Sequence, residues 1–292
     1  MTVVTTRAIG EYERRRRRAN DLAERWAFAT EVLTFYTRLL DVQEPAFDEA
    51  RTIDASEAAA FAAERVAPRI VEASVSFGPP ALQQGVLERF DSIDLHATVS
   101  AWLQGEPLGA LERFLARASS APVLEALGSR AGDACAGPRD DRHCPACGGS
   151  PQLAYAGNGD EDLVTPHRYL ECSRCAASWP FARMICAACG ENDTAKLLRF
   201  SEIGALEAET SGQTVRGSES HPELVEGQPQ ARALLPHVSI EGCDTCKHYV
   251  LSVDVRRDPR AVPQVDELAA LPLYLYASER GLNKIVANAL GF

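Results

Sequence analysis

The chain has 292 residues, of which 46% are hydrophobic, enough to bury a sizeable core in two domains or in one large domain with appendages. Its 30 Lys and Arg are outnumbered by 41 Asp and Glu, which leaves a formal net charge of −11. A molecule of this charge repels nucleic acid and anionic membrane surfaces, so we expect neither as a partner.

Neither a targeting segment nor a membrane anchor is indicated by the sequence. The basic residues near the N-terminus are not followed by the apolar run of a signal peptide. A membrane-spanning helix needs about 18 consecutive apolar residues, and no such stretch is found. We therefore expect a cytoplasmic protein. In that reducing compartment, closely spaced cysteines indicate metal or redox chemistry rather than structural disulfides.

Residues 1–138 are predicted to form a bundle of helices. Apolar residues recur every three or four positions from Leu22 to Leu40 and from Ala55 to Val75, which is the spacing of amphipathic helices. Two clusters of Gly, Pro and Ser, at residues 78–80 and 119–122, are expected to separate successive helices.

The first helix carries five consecutive arginines, Arg14 to Arg18. A nucleic acid would attract such a run, but a run of charge is more often a solvated or partner-facing surface. Because Glu11 and Glu13 lie beside the arginines, we interpret the run as the charged outer face of the helix.

Residues 139–265 are predicted to form a metal-binding region. The helical spacing stops there, and eight of the nine cysteines fall in four Cys-x-x-Cys pairs. This gap points two sulfurs at one ion from a single tight turn, and a tetrahedral site then needs a second pair brought in by a hairpin. Random burial of cysteines does not produce four equal gaps. The pairs are Cys144 with Cys147, Cys172 with Cys175, Cys186 with Cys189, and Cys243 with Cys246.

The distribution of glycine favours pairing of neighbours along the chain. Gly148 and Gly190 follow the first and third pairs, whereas no glycine follows the second or the fourth. A glycine here allows positive φ and frees backbone N–H groups to donate to thiolate sulfur. The pattern predicts an internal repeat of a small β ribbon. The two predicted sites are Cys144, Cys147, Cys172 and Cys175, and Cys186, Cys189, Cys243 and Cys246.

Each repeat is predicted to contain three short strands. The polar stretch 204–232 lengthens the spacer of the second repeat and is interpreted as a mobile insertion. Residues 266–292 return to helical spacing from Leu268 to Ala289, with a break or kink expected at Gly281. The predicted strands are residues 152–156, 167–170 and 179–185 in the first repeat, and 196–200, 238–240 and 249–255 in the second.

The residues leave the metal open between zinc and iron, because four thiolates suit both ions. Four nearby cationic side chains are candidates to offset the negative charge of such sites, although surface solubility explains them equally well. All four positions of each site are taken by protein sulfur, which argues against hydrolytic catalysis at the metal. The cationic candidates are Arg168, Arg174, Arg183 and Lys247.

Three other residues are weaker candidates. Cys135 is interpreted as a small buried hydrophobe rather than a nucleophile. His143 and His248 flank cysteine pairs, but eight thiolates already complete two sites, so we expect these histidines to hydrogen-bond to sulfur or solvent. The sequence has no phosphate-binding loop, nucleophile elbow or helical His-Glu-x-x-His motif, and no enzyme active site is predicted.

Several functions are open to a chain with four-thiolate ribbons. From His143 to Val255, eight Lys and Arg stand against fifteen Asp and Glu, which argues against a nucleic-acid module. Electron transfer is an alternative, but it does not explain why the chain also has a helical domain. Thioredoxin-like exchange needs one pair at a helix N-terminus rather than four pairs. A docking role uses both parts of the chain.

Four segments of the second half carry a resemblance to a known family. They are similar to the formate dehydrogenase accessory protein family, FdhE, in order from Cys144 to Phe292. The similarity includes Arg168-Tyr169-Leu170 before the second pair and Trp179-x-x-x-Arg183 before the third. The four segments are HCPACGGSP, HRYLECSRCAASWPFARMICAACG, GCDTCKHYVLSVDV and DELAALPLYLYASERGLNKIVANALGF.

The resemblance implies an α+β protein: an N-terminal helical bundle, two tandem rubredoxin-like or zinc-ribbon β modules, and a C-terminal helix. It implies two iron sites, with zinc as the alternative, and no enzyme activity of its own. It also implies a cytoplasmic role in assembling molybdenum-containing formate dehydrogenase, by binding the immature catalytic subunit. A rubredoxin-like electron carrier and a zinc-ribbon interaction module remain alternatives.

Overall fold

The computed structural model describes residues 10–157, 167–202, 233–288 and 290–291. Within these ranges the chain has the predicted α+β architecture, with a helical N-terminal part followed by a β region that holds the eight paired cysteines. The stretch 204–232, predicted to be a mobile insertion, lies outside the described residues, as does Ala289.

The N-terminal part is a bundle in which α2 packs against both α1 and α7, and α6 packs against α7. A short π-helical turn, Ala62–Val66, joins α3 to α4. The helices are α1 Glu11–Arg25, α2 Thr30–Ala50, α3 Ala58–Phe61, α4 Ala67–Phe77, α5 Pro80–Arg89, α6 Leu95–Gln104, α7 Ala110–Leu127 and α8 Ala131–Ala134.

Two predicted helix boundaries are corrected by the structure. The apolar stripe from Leu22 to Leu40 is not one helix, because α1 ends at Arg25 and a 3-10 turn precedes α2. The cluster at residues 119–122 does not separate helices, since Pro122 lies inside α7. Proline removes the hydrogen bond to the carbonyl four residues earlier. That carbonyl, of Ala118, instead accepts from Nε2 of Gln43 at 2.8 Å.

The interpretation of the arginine run as an outer face holds for only part of the run. Arg14 and Arg17 have side chains that are 63% and 77% exposed. Arg15 and Arg18 are 3% and 4% exposed and point into the molecule. A helix places residues three apart on one face, so a run of five must reach the buried side as well.

The β region is one mixed sheet with the strand order β3-β2-β1-β6-β5-β4, and β7 pairs with β6 beside this path. Each repeat forms an antiparallel hairpin followed by a third antiparallel strand. The strands are β1 Pro151–Gly157, β2 His167–Cys172, β3 Ser178–Pro180, β4 Leu197–Ser201, β5 Val238–Cys243, β6 His248–Asp254 and β7 Asn283–Lys284.

The two ribbons join through a parallel pair between β1 and β6, with Ala154 opposite Ser252. The predicted strand at residues 179–185 is shorter than expected. Its ladder ends where the N–H of Phe181 donates to the carbonyl of Arg168 at 2.9 Å, and the chain then turns towards Cys186.

The C-terminal segment is helical over only part of its predicted length. It contains α9, Pro263–Ala269, and α10, Leu271–Glu279. The break expected at Gly281 is present, with a φ of +68°. Beyond Gly281 the prediction of helix is wrong, because the next residues form β7, which pairs with β6.

The helical bundle and the β region share two apolar cores. One core joins α2, α4, α6 and α7 to the first ribbon and its four cysteines. The other joins α1 and α2 to β5, β6, α9 and α10. Among the described residues, no helix has both the length and the apolar character required to cross a bilayer.

Candidate metal centres

Each of the four cysteine pairs lies in its own tight turn, and the four turns have the same backbone conformation. The residue after the second cysteine has positive φ in every case: +72° at Gly148, +54° at Ala176, +80° at Gly190 and +57° at Lys247. The presence or absence of glycine therefore does not change the backbone conformation of these turns. A non-glycine residue there costs roughly 1–2 kcal/mol.

Backbone hydrogen bonds within the protein hold these turns, independently of any ion. The N–H of Gly148 donates to the carbonyl of Cys144 at 2.8 Å, and the N–H of Gly190 to that of Cys186 at 3.0 Å. Each turn also aims N–H groups at sulfur. The N–H of Arg174 lies 3.3 Å from Sγ of Cys172.

The first cluster brings together the four cysteines of the first predicted site. Their Sγ atoms all lie within 4.8 Å of one another. Cys144 and Cys175 are separated by 3.6 Å between sulfurs, and Cys147 and Cys172 by 3.3 Å. One pair comes from the turn before β1 and the other from the turn after β2, so the β1–β2 hairpin closes the cluster.

The second cluster repeats this arrangement with the other four cysteines. Their Sγ atoms also lie within 4.8 Å of one another. The sulfurs of Cys186 and Cys246 are 3.8 Å apart, as are those of Cys189 and Cys243. Here the β4–β5 hairpin brings the pairs together. Both groupings match the chain-order pairing.

These dimensions fit a tetrahedral metal ion. Four thiolates at about 2.3 Å from an ion lie about 3.8 Å from one another. The second cluster has this spacing and the first is slightly tighter. All eight cysteines are free of disulfides, and each cluster offers four sulfur ligands of the kind that zinc and iron favour. The geometry does not distinguish the two metals.

Crowding of the sulfurs is unfavourable without a cation. Burial raises the pKa of Cys172 well above its usual range, and the hydrogen bonds that the Cys175 thiol donates to Cys144, Cys147 and Cys172 do the same for the pKa of Cys175. The hydrogen bonds that the Cys147 thiol donates to Cys135 and Cys144 raise the pKa of Cys147 to about 12. A hydrogen bond from Cys147 lowers the pKa of Cys144, so this buried space favours one thiolate by itself, and four thiolates need an ion to offset their charge.

Three of the four cationic side chains predicted to offset that charge bind other groups. Arg168 forms an ion pair with Glu241 at 2.7 Å. The side chain of Lys247 is 55% exposed and pairs with Asp244. Arg174 contributes its backbone N–H to sulfur, while its guanidinium group donates to the carbonyl of Ala136 at 2.8 Å.

A buried cationic residue near the first cluster was missed by the sequence analysis. Arg117, on α7, donates to Oε1 of Gln152 at 2.6 Å. Gln152 in turn donates to Glu267 at 2.7 Å, and Lys284 forms an ion pair with Glu267 at 2.6 Å. These four residues are distant in sequence and share no motif, so only the fold reveals the network.

The three weaker candidates take no place in either cluster. His143 contacts Oδ1 of Asp140 at 2.6 Å, and His248 contacts the carbonyl of Cys246 at 2.8 Å. Both histidines thus contact a protein oxygen through Nδ1, and neither of these two contacts is to sulfur. Cys135 is 8% exposed, in line with its interpretation as a buried small residue, and its sulfur accepts a hydrogen bond from Cys147.

A helical bundle fused to two zinc-ribbon-like modules, each with a closed four-cysteine cluster, defines the class of this protein. No protein-family model matches the chain. The FdhE homolog of Aquifex aeolicus is 26% identical over 152 residues, which cover 51% of this chain and 42% of that relative. The homolog of Pseudomonas aeruginosa is 28% identical over 147 residues, covering 50% and 38%.

A solved structure extends the similarity to the whole fold. The crystal structure of the FdhE protein from Pseudomonas aeruginosa matches with a TM-score of 0.60 and 20% identity, over 98% of both chains. At this identity the match establishes the fold. Together with the curated relatives, it confirms the resemblance to FdhE proteins that the sequence predicted.

Proposed function

We propose that this chain is a non-catalytic accessory protein that assists assembly of a molybdenum-containing formate dehydrogenase by binding its immature catalytic subunit in the cytoplasm. The observation that supports this proposal most directly is the pair of four-cysteine clusters in an FdhE-like fold. Closed sulfur sites leave no coordination position for a substrate or water, which supports a binding role over a catalytic one.

We also propose that both clusters hold iron. The four-thiolate ligand set suits iron and zinc alike, and the resemblance to FdhE proteins favours iron. The hairpins that carry the cysteines would hold the ion, and the ion would in turn fix the conformation of the cysteine turns. An electron carrier alone does not explain why the first cluster is sealed beneath the helical bundle.

The decisive experiment is co-purification from cells that make a formate dehydrogenase catalytic subunit. The tagged chain should retain that subunit in its cofactor-free form and release it once the molybdenum cofactor is inserted. The matched control is the same tagged chain with the cofactor-loaded subunit. Recovery of nucleic acid instead of the subunit would contradict the proposal.

Metal content tests the second part of the proposal. The chain purified without oxygen should contain two iron ions, and air oxidation should give the red colour of ferric thiolate. Two zinc ions in a colourless protein would overturn the assignment of iron and leave the binding role to be decided by the co-purification.

A further inference from the structure

The two clusters differ in how far their sulfurs are removed from solvent. In the first cluster every cysteine is at most 5% exposed. In the second, Cys243 is fully buried, Cys246 is half-buried and Cys189 is exposed. A reagent in solution can therefore reach one edge of the second cluster and no sulfur of the first.

The helical bundle is what covers the first cluster. Its four cysteines share an apolar core with Leu103 of α6 and Leu115 of α7. The guanidinium of Arg174 donates to the carbonyl of Ala136 and lies 5.6 Å from the ring centre of Trp102. Exposing these sulfurs would require the ribbon to separate from the bundle.

The second cluster is bordered by polar loops instead. Nη1 of Arg142 donates to the carbonyl of Ala188 at 2.9 Å, and Oγ1 of Thr245 donates to Glu191 at 2.6 Å. Among the described residues, neither apolar core includes a cysteine of this cluster. The β4–β5 hairpin carries the cysteines at the end where Leu197 faces Cys243.

We propose that the second cluster is a site of thiol–disulfide exchange, at which Cys189 reacts with oxidants of the disulfide class and the cluster gives up its ion while the first cluster keeps its own. Attack on a disulfide depends on thiolate character and on access, and access is what separates the two clusters. The inference rests on the proposed metal occupancy and not on the proposed partner.

The reaction needs only two thiolates of the cluster and one molecule of the disulfide. The thiolate of Cys189 attacks one sulfur of the disulfide, whose S–S bond breaks and releases one half as a thiolate. A second thiolate of the cluster then attacks Sγ of Cys189 and releases the other half; Cys243 is positioned for this step, 3.8 Å away. Two cysteine thiolates are oxidised to one disulfide, the reagent is reduced to two thiolates, and the ion has lost two of its four ligands.

The test exposes the full metal-loaded chain, freed of reductant, to an excess of an aromatic disulfide whose thiolate is coloured. We expect a fast phase that releases coloured thiolate and one ion per chain. The second ion should leave at least about a hundredfold more slowly, since the first cluster reacts only when its core opens. Peptide mapping after the fast phase should place the new disulfide within the second cluster.

Two single substitutions provide the controls. Cys189→Ser should lose the fast phase of ion release, because its second cluster, like that of Cys186→Ser, no longer retains an ion. Cys135→Ser removes the buried cysteine outside both clusters and should keep it. Release of both ions together, or initial modification of a cysteine of the first cluster, would overturn the proposal. Should Cys189→Ser fail to fold, the kinetics and the peptide map of the unchanged chain decide the matter.

Discussion

At the scale of single residues, the arginines of α1 show how one stretch of charge serves two purposes. Arg18 is buried and donates to the carboxylate of Asp266 on α9, with Nε 3.0 Å from Oδ2. His237 contacts the same carboxylate at 2.7 Å, and the N–H of Val262 donates to it at 2.8 Å. The run is thus partly a surface and partly the attachment of α1 to the C-terminal helices.

Replacing Arg18 by Gln should destabilise the chain strongly. Removing one partner of a buried ion pair leaves the other charge uncompensated, which costs about 3–5 kcal/mol. Arg17→Gln, one position earlier on the exposed face, should change stability by less than about 0.5 kcal/mol. Urea unfolding followed by circular dichroism measures both. Equal effects at the two positions would show that the buried contact contributes nothing.

At the scale of the element, the four cysteine turns have one geometry and unequal amounts of room. A Cβ added at Gly148 would lie 2.8 Å from the backbone carbon of Gly137. At Gly190 the nearest atom would be Cδ of Arg142 at 3.9 Å. The first turn therefore needs glycine for two reasons, positive φ and close approach, and the third for only one.

Substitutions at these turns should follow that difference. Ala176→Gly should stabilise the chain by about 1 kcal/mol, because it relieves the cost of positive φ. Gly190→Ala should destabilise by a similar amount, and Gly148→Ala by clearly more, because its methyl group also meets backbone. Thermal unfolding of the metal-loaded variants ranks them. A Gly148→Ala variant as stable as Gly190→Ala would contradict the packing argument.

At the scale of the whole molecule, the first cluster lies in the core between bundle and sheet, whereas the second lies near the surface of the ribbon. The parallel β1–β6 pair connects the two ribbons through a few backbone hydrogen bonds. Loss of an ion at one cluster should therefore have different consequences from loss at the other.

We expect Cys144→Ser and Cys186→Ser each to lose one of two ions. Metal binding to such sites is folding free energy, on the order of 10 kcal/mol in small zinc fingers. Cys144→Ser should lower the thermal midpoint of the whole chain, because its cluster supports the shared core. Cys186→Ser should leave the helical signal and its midpoint nearly unchanged. Elemental analysis and circular dichroism give the readouts, and loss of both ions from one substitution would mean that the two ribbons fold as a unit.

How the eight paired cysteines group, and where six of the seven strands lie along the chain, could be predicted from the sequence. Equal Cys-x-x-Cys gaps are a local property, since one tight turn decides where two sulfurs point, and a hairpin spacer then decides which turns meet. Local spacing also located the break at Gly281 and most of α2, although it merged the end of α1 with α2. It failed where a distant group supplied the missing contact, as when Gln43 satisfied the carbonyl that Pro122 left free.

Three features became visible only in the folded molecule: which cluster is buried, which arginines are buried, and that Asn283–Lys284 form β7 rather than more helix. Burial depends on what packs on top, and here the covering residues come from α6, α7 and α9, far away along the chain. Two turns with the same local conformation therefore acquired opposite environments. The conformation is set by neighbouring residues, whereas access to solvent is set by the whole fold.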